Sequence, residues 1–288
     1  MPQPSTWRET LALAAKYLSS RGVENAPAAS EFLMARLLGL GRGMLAPHFE
    51  SAPRPAHLEA MRRAMARLAK NEPLQYVLGE WDFRTVTLKT DSRALVPRPE
   101  TEGLAGLVLQ SGFTRLPRPF VVDVGTGTGC IPLSLAKEWP AGSEPVFVGV
   151  DISPDAVALA AENAEALGLA GRVRFAVSDG LEGFDPESVD VIVSNPPYIA
   201  SGEIETLPAN VRDWEPRIAL DGGPDGLSFY ERYLEEAMIV LKPGGGVFFE
   251  IGSGQGPALE RLFAAYGFSD ARISKDLQGL PRYASARL

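Results

Sequence analysis

Hydrophobic residues recur at two different spacings, and the change of spacing divides the chain into a helical part and a sheet-containing part. In the first 75 residues they recur every three or four positions, as in Trp7, Leu11 and Leu18, which predicts amphipathic helices. A Thr6–Glu9 capping-box pattern begins the first helix. The same spacing predicts further helices over 28–38 and 58–70, so we expect a small helical domain over 1–75.

Residues 76–90, YVLGEWDFRTVTLKT, are richer in β-branched and aromatic residues and predict a β-hairpin linker. From residue 119, runs of Val, Ile and Phe alternate with helical patterns, as in PFVVDVG, PVFVGVD, RVRFAVSD, VDVIVSN and GVFFEIG. The C-terminal tail suits two more strands around 279–281. Such alternation indicates an α/β domain over 91–288, built on a doubly wound, mostly parallel, seven-stranded sheet.

Composition narrows the class of protein. The 288 residues are 45% hydrophobic and 22% charged, which is typical of a globular protein with a sizeable core. No apolar run approaches the roughly 20 residues needed to cross a bilayer, and the N-terminus lacks a signal pattern, so we expect a cytoplasmic protein without a membrane partner. Cys130 is the only cysteine, and His48 and His57 are the only histidines. None has a partner at metal-ligand spacing, so we expect no metal.

Charge is distributed unevenly between the two parts. Residues 1–75 hold 10 Lys/Arg and 6 Asp/Glu, for a net charge of +4, whereas the rest holds 18 and 30, for −12. A DNA-modifying protein usually has a basic surface on the domain that binds DNA, so the acidic larger part weighs against direct DNA binding. It does not exclude RNA or a basic protein. The basic residues Arg62, Arg63 and Arg67 indicate either a solvated helix face or a surface for a nucleic-acid-rich partner.

A glycine-rich loop, Asp123-Val-Gly-Thr-Gly-Thr-Gly129, follows the first strand of the predicted sheet. Glycines permit a sharp turn and close approach of a ligand, and the following helix offers its N-terminus. Cys130 stands where the dinucleotide-binding fingerprint has its third glycine, and a P-loop lysine is missing. The spacing is similar to the cofactor loop of class I methyltransferases, which makes these residues candidate cofactor ligands: Gly125, Thr126, Gly127, Thr128 and Gly129. The alternative is an ordinary strand–helix turn.

Acidic residues also end the next two strands. Asp151 lies 22 residues after Gly129, where a carboxylate can accept hydrogen bonds from both ribose hydroxyls of a nucleoside. It can equally serve as a helix cap, and ribose binding alone does not distinguish NAD from S-adenosylmethionine. Asp179 and Gly180 end the third strand, at the point that borders the adenine in this fold. Asp179 is a candidate acceptor for the adenine amine, with a solvated loop acid as the alternative.

The motif Asn195-Pro196-Pro197-Tyr198 closes the fourth strand and carries the most specific chemistry. Pro197 pushes Pro196 towards an extended backbone, which exposes the Pro196 carbonyl beside the side-chain carbonyl of Asn195. Two adjacent acceptors match the two N–H bonds of an NH₂ group, and Tyr198 offers a flat face to a planar group.

Such acceptors favour the pyramidal nitrogen of a methyl-transfer transition state over its flat ground state. The positive charge moves from sulfur to nitrogen, so no strong base is needed beforehand. We therefore predict methylation of a planar nitrogen.

Together these residues resemble the HemK/PrmC family of N5-glutamine methyltransferases, which modify the Gly-Gly-Gln glutamine of peptide chain release factors. The resemblance covers essentially the whole chain, including PLQYVLGEWDF, LVPRPETE and VRDWEPRIALDGGPDGL. It implies a Rossmann-like class I methyltransferase domain over 91–288, a release factor as substrate, and an N-terminal domain that recognises it. It also implies S-adenosylmethionine as cofactor, with S-adenosylhomocysteine as product. We expect a monomer.

The same resemblance implies roles for particular residues. The cofactor is expected to bind Gly125–Gly129, Asp151 and Asn195, and the substrate glutamine to lie against Asn195, Pro196, Pro197 and Tyr198. Thr101, with Arg98–Glu100, is expected to border the methionine end of the cofactor. Many relatives carry a bulky residue at the position of Gly180, so we expect Leu181 or Ile152 to supply the apolar wall for adenine.

Three alternatives remain open at this point. The NPPY element is shared with DNA adenine-N6 and some RNA guanine-N2 methyltransferases, so it defines the class of nitrogen but not the substrate. Ribosomal-protein glutamine methyltransferases are similar but usually carry Pro-Arg-Ser-Pro where this chain has Pro97-Arg98-Pro99-Glu100, which favours the release-factor branch. The third alternative is a non-catalytic module that binds the cofactor.

Overall fold

The computed structural model describes residues 5–288. In chain order its helices and strands are α1 (Trp7–Ser20), α2 (Ala26–Leu38), α3 (Pro55–Leu68), α4 (Leu74–Leu78), β1 (Glu80–Phe83), β2 (Val86–Lys89), α5 (Pro99–Gln110), β3 (Phe120–Val124), α6 (Cys130–Glu138), β4 (Val146–Asp151), α7 (Pro154–Ala166), β5 (Val173–Val177), β6 (Val189–Ser194), α8 (Ala209–Arg212), α9 (Ser228–Val240), β7 (Leu241–Glu250), α10 (Gly256–Ala265), β8 (Ser269–Lys275) and β9 (Pro281–Arg287). Among these residues, no helix is both long and apolar enough to cross a membrane.

The chain forms two compact units. The smaller unit is made of two segments, the chain up to Glu80 and the distant segment Pro208–Trp214. The larger unit comprises Trp81–Leu207 and Glu215–Leu288. The pattern analysis assigned 208–214 to the larger domain, because sequence order gives no sign of such an excursion. Within the smaller unit, the indole Nε1 of Trp214 donates a hydrogen bond to the Lys70 carbonyl at 3.2 Å.

The smaller unit is helical, as its hydrophobic spacing predicts. The Thr6 hydroxyl accepts from the Glu9 amide at 3.2 Å and caps α1, while the Glu9 carboxylate accepts from the Ser5 amide at 2.7 Å. The inward faces of α1, α2 and α3 bury a common core that includes Leu18, Leu33 and Met61. Burial of these faces stabilises helices that are individually short.

The segment 76–90 is a hairpin only in part. Residues 74–78 form the helix α4, and the hairpin begins only at Glu80, with strands β1 (Glu80–Phe83) and β2 (Val86–Lys89). Pro73 supplies an extended N-cap for this helix, and Gly79, with a φ of 77°, ends it. The prediction of a hairpin from residue 76 was therefore wrong for its first three residues, because the proline and glycine that bracket a short helix outweigh one valine's preference for a strand.

The larger unit contains the predicted seven-stranded sheet, in the order β5-β4-β3-β6-β7-β9-β8. The strands from β5 through β7 are parallel, and β9 runs antiparallel to both β7 and β8. The chain leaves β3 towards one side of the sheet and returns to β6 on the other side of β3. In open α/β sheets, ligands bind outside the carboxyl ends of the strands at such a switch point. The two motifs that follow β3 and β6 therefore become neighbours.

The core lies on both faces of this sheet. One face packs against α5 and α6, and the other packs against α9 and α10. All six residues of β6 are buried, as expected for a central parallel strand that is covered on both faces. The carboxyl ends of β3 and β6 are thus held by a rigid centre.

Gly149, in β4, provides a test of this packing. A Cβ atom there would lie 2.5 Å from Thr126 Oγ1 and 2.7 Å from the Phe175 ring. We expect Gly149→Ala to lower the free energy of unfolding by about 1–3 kcal/mol, as overpacking of a filled core does. Gly171→Ala is the control, because nothing lies within 4 Å of its added methyl group. Denaturant unfolding of both variants checks this, and equal losses contradict it.

Candidate active site at the carboxyl edge of the sheet

A cleft of about 290 Å³ opens at the carboxyl ends of the parallel strands. This volume is close to the lower end of the range typical of small-molecule sites. Residues predicted from the sequence line it at the ends of four strands: Gly125, Gly127, Asp151, Asp179, Gly180, Asn195 and Pro197. The topology has therefore brought four separate motifs to one edge.

Other predicted residues are buried or half-buried. Thr126 and Thr128 are buried in the loop, and Thr101 is 2% exposed. Pro196 is also buried, and Tyr198 is half-buried. These residues, with Gly129, do not line the cleft.

The glycine loop owes its shape to backbone conformations that other residues rarely adopt. Gly125, Gly127 and Gly129 have φ angles of 74°, 53° and 79°. The amides of Gly125 and Thr126 both donate to the Val150 carbonyl at 2.9 Å, which ties the loop to β4. The first two glycines form the surface of the cleft. The third allows close packing, since a Cβ atom there would lie 3.0 Å from the side chain of Leu133.

Asp151 holds the glycine loop while retaining acceptor capacity. Its Oδ2 accepts from the Gly127 amide and its Oδ1 from the Ser153 amide, both at 2.9 Å. Burial raises the pKa of Asp151, and the two backbone hydrogen bonds oppose that shift. An ionised carboxylate has about four lone-pair sites, so two remain for ribose hydroxyls. Ser153, and not Asp151, is the N-cap of α7, since its hydroxyl group accepts from the Ala156 amide.

Asp123, at the end of β3, is a buried acid that sequence reasoning did not select as a site residue. It is 1% exposed, and none of the described residues completes a hydrogen bond of regular geometry to its carboxylate oxygens. Burial raises its pKa to about 7, the nearby Thr126 hydroxyl lowers it, and Asp151 raises it further. An unsatisfied buried acceptor beside the loop fits a ligand that brings donors or a positive charge, as S-adenosylmethionine does.

An ion-pair cluster surrounds Gly180 at the cleft. Arg232 donates to Asp179 Oδ1 at 2.6 Å and to Glu236 Oε1 at 2.7 Å. Glu236 Oε2 accepts from the Leu181 amide at 2.7 Å. A Cβ atom on Gly180 would collide with the Glu236 carboxylate and lie 2.9 Å from Arg232. The cluster therefore occupies the space that a side chain at position 180 would need.

The apolar wall of the cleft comes from other positions. Ile152 is 48% exposed and lines the cleft, whereas Leu181 is 3% exposed in the core and does not. Phe229 and Tyr233 of α9 line the same cleft. Of the two candidates for the adenine wall, the geometry therefore favours Ile152, and the two aromatic residues were missed because only the fold brings α9 to this edge.

Asn195 is tied to two buried residues from distant parts of the chain. Its Nδ2 donates to Thr101 Oγ1 at 3.0 Å, and Thr101 Oγ1 donates to Glu250 Oε2 at 2.6 Å. Glu250 is 1% exposed at the end of β7. Thr101, which is expected to border the methionine end of the cofactor, does not line the cleft; its hydroxyl group bonds the side chains of Asn195 and Glu250.

The backbone after Asn195 is clamped by the segment 215–227. The Ile199 amide donates to the Leu220 carbonyl at 3.2 Å, and the Gly222 amide donates back to Ile199 at 2.8 Å. Gln255 Nε2 donates to the Tyr198 carbonyl at 3.1 Å and to the Gly226 carbonyl at 3.0 Å. These contacts give the glycine-rich DGGPDGL stretch a structural role in holding the NPPY loop.

Arg98 fixes the beginning of the same segment. Its guanidinium Nη2 donates to both carboxylate oxygens of Glu215 at 2.8 Å. Burial raises the pKa of Glu215, and Arg98 opposes that shift. Pro216, Ile218 and Ala219 follow directly and line the cleft. Arg98 therefore shapes the cleft wall through the position of this segment.

Comparisons with known proteins show the class of protein to which this fold belongs. The family described as "Methyltransferase domain" matches residues 120–273, and the PrmC N-terminal domain matches 9–79. The catalytic domain of hMettl16, solved in complex with the MAT2A 3′UTR hairpin 6, shares the fold with a TM-score of 0.57 and 16% identity, over 78% of this chain and 81% of that one. Fold and site together define an S-adenosylmethionine-dependent methyltransferase of class I.

Full-length relatives give the family. The release factor glutamine methyltransferase of Geobacter sulfurreducens is 39% identical over 289 residues, covering 99% of both chains. The protein of the same name from Cereibacter sphaeroides is 38% identical over 280 residues, covering 97% of this chain and 98% of that one. The chain belongs to the release factor glutamine methyltransferase family.

Two glycines test the ion-pair cluster at the cleft. Gly180 has a φ of 72° and Gly183 a φ of 84°, so alanine at either position costs roughly 1–2 kcal/mol of stability. Only at Gly180 does the added methyl group also displace Glu236 and Arg232, whereas nothing lies within 4 Å at Gly183. We expect Gly180→Ala to lose more unfolding free energy and to weaken cofactor binding. Denaturant unfolding and calorimetry measure both, and identical behaviour of the two variants contradicts this.

Proposed function

We propose that this chain transfers the methyl group of S-adenosylmethionine to the side-chain amide nitrogen, N5, of the glutamine in the Gly-Gly-Gln motif of peptide chain release factors. The observation that carries the proposal is the engagement of Asn195 Nδ2 by Thr101, which leaves the carbonyl oxygen of Asn195 as the acceptor at the cleft. The names of the full-length relatives support the choice of substrate.

The proposed mechanism depends on acceptors that act on the substrate nitrogen. An amide nitrogen is a weak nucleophile because its lone pair is delocalised into the carbonyl group. Asn195 Oδ1 and the Pro196 carbonyl accept from its two N–H bonds and favour the pyramidal nitrogen of the transition state. Tyr198 supports the flat amide, and the Gln255 clamp holds this loop in position. The bound cofactor supplies an activated methyl group, so the proposed reaction needs no metal.

We propose that Asp151 accepts from the ribose hydroxyls and that Gly125 to Gly129 shape the turn against which the cofactor lies. Ile152, Phe229 and Tyr233 supply the apolar wall for the adenine. Asp179 remains a proposed adenine acceptor, through the carboxylate oxygen that Arg232 does not engage.

Residues 1–75 are proposed to recognise the release factor. This segment carries a net charge of +4, and most of it falls within the match to the PrmC N-terminal domain. Residues 91–288 then act as the catalytic domain. We propose that a single chain performs the reaction, because every residue with a proposed role at the cleft comes from one unit of this chain.

Methyl transfer from labelled S-adenosylmethionine to a purified release factor tests the proposed substrate. We expect label on the release factor, none on its Gln→Ala version, and none on duplex DNA. Peptide mass spectrometry should place one added methyl group on the Gly-Gly-Gln glutamine. Label on DNA, or equal label on both protein versions, overturns the substrate assignment.

Two alanine variants separate cofactor binding from turnover. Asn195→Ala should lower kcat by about 10²–10³-fold with little change in the Kd for S-adenosylmethionine, because it removes an acceptor that acts in the transition state. Asp151→Ala should instead raise that Kd by roughly tenfold or more, since it removes a ribose acceptor and loosens the Gly127 turn.

Asp155→Ala is the control for Asp151→Ala, because it also removes one acidic charge but at an exposed residue at the start of α7. Steady-state kinetics and calorimetry give both constants. A variant of Asn195 that loses only cofactor affinity contradicts its proposed role.

A further inference from the structure

Asn195, Thr101 and Glu250 form a buried hydrogen-bonded chain behind the cleft. The Asn195 Nδ2–Thr101 Oγ1 distance is 3.0 Å, and the Thr101 Oγ1–Glu250 Oε2 distance is 2.6 Å. Thr101 and Glu250 are 2% and 1% exposed, so water does not compete for these bonds. While Glu250 is ionised, only one assignment of donors and acceptors satisfies all three groups.

That arrangement determines which end of the Asn195 amide faces the substrate. The oxygen and nitrogen of an asparagine amide have nearly the same shape, so only hydrogen-bond partners decide its orientation. An ionised Glu250 can only accept, so Thr101 must donate its single hydroxyl proton to it. Thr101 then offers only lone pairs to Asn195, which must turn its NH₂ group inward and its carbonyl towards the cleft. In the opposite orientation the NH₂ group of Asn195 would face the NH₂ group of a substrate amide, and neither group could accept a hydrogen bond from the other.

The second oxygen of Glu250 serves the other recognition residue. The Tyr198 hydroxyl lies 3.4 Å from Glu250 Oε1, and the Tyr230 hydroxyl donates to the backbone carbonyl of Glu250 at 2.9 Å. The Glu250 carboxylate therefore holds two side chains of the NPPY loop. One oxygen holds Asn195 through Thr101, and the other contacts Tyr198 directly.

We propose that Thr101 and Glu250 are positioning residues, which hold the Asn195 amide with its carbonyl towards the substrate nitrogen. This inference rests on the function proposed above. Neither residue lines the cleft, so both act through Asn195 and Tyr198.

The charged groups around Glu250 give the arrangement a pH dependence. Burial raises the pKa of Glu250 to about 7; the Thr101 hydrogen bond lowers it, Arg282 lowers it, Glu100 raises it and the Tyr198 hydroxyl lowers it. Below that pH the carboxyl group gains a proton and becomes a donor, which frees the Thr101 hydroxyl proton to turn towards Asn195. We therefore expect kcat to fall as pH drops through about 7.

Three substitutions test the chain of hydrogen bonds. Thr101→Val keeps the shape but removes the hydroxyl group, and we expect kcat to fall at least about tenfold with the Kd for S-adenosylmethionine unchanged. Thr101→Ser restores the hydroxyl group and should recover most of kcat. Glu250→Gln should lower kcat and abolish its fall below pH 7. The matched control is Thr114→Val, because the Thr114 hydroxyl group donates to the Ser111 carbonyl at 3.0 Å and Thr114 does not line the cleft.

Wild-type kcat in Thr101→Val, or equal impairment in Thr101→Ser, overturns the proposal, as does an unchanged pH profile in Glu250→Gln. A readout without substrate separates this result from a failure of the proposed function. In ¹⁵N-labelled protein, the side-chain NH₂ of Asn195, assigned from its absence in Asn195→Ala, should exchange slowly with solvent in the wild type and rapidly in Thr101→Val. Equal exchange rates overturn the positioning role whatever the substrate is.

Discussion

The reversal of chain direction across the sheet between β3 and β6 is the constraint on which the rest of the structure depends. Because successive connections run to opposite sides at this point, no crossover covers the carboxyl ends of the two central strands, and a crevice remains. All six residues of β6 are buried, so the two loops that leave this edge start from fixed positions. The two loops with the proposed cofactor-binding and substrate-binding residues are thus brought together by the topology.

Loops at such an edge must satisfy their own backbone groups, and the chain does so with side chains that double as parts of the site. Asp151 accepts from the Gly127 and Ser153 amides, and Gln255 donates to two carbonyls while its Oε1 accepts from the Gly252 amide at 2.8 Å. A buried backbone group without a partner costs free energy, so these side chains cannot be removed without moving the loop. Preorganisation of the site and stability of the fold therefore have the same source.

The sequence is sufficient for features that depend on local chemistry. Neighbouring residues are enough to predict the succession of strands and helices along the chain. They also account for the positive φ angles of Gly125 and Gly127 and for the position of Asn195 at a strand end. Glu250 was missed because its partner Thr101 is 149 residues away, although an acidic residue ending the apolar run GVFFE was a usable signal. The Arg232 cluster and the excursion of 208–214 had no local signal, because both depend on which surfaces meet after folding.

Two kinds of polar group meet at this edge, and they contribute differently to the proposed reaction. Total charge stays positive as the methyl group passes from sulfur to nitrogen, so a carboxylate such as Asp151, which we propose contacts the ribose, would stabilise ground state and transition state to similar extents. That is uniform binding, which lowers the Kd without raising kcat. In the proposed reaction Asn195 Oδ1 bonds the nitrogen itself, and its hydrogen bond strengthens only as that nitrogen becomes positive. A neutral acceptor held rigidly by buried partners can therefore contribute more to the rate than the acidic groups that surround it.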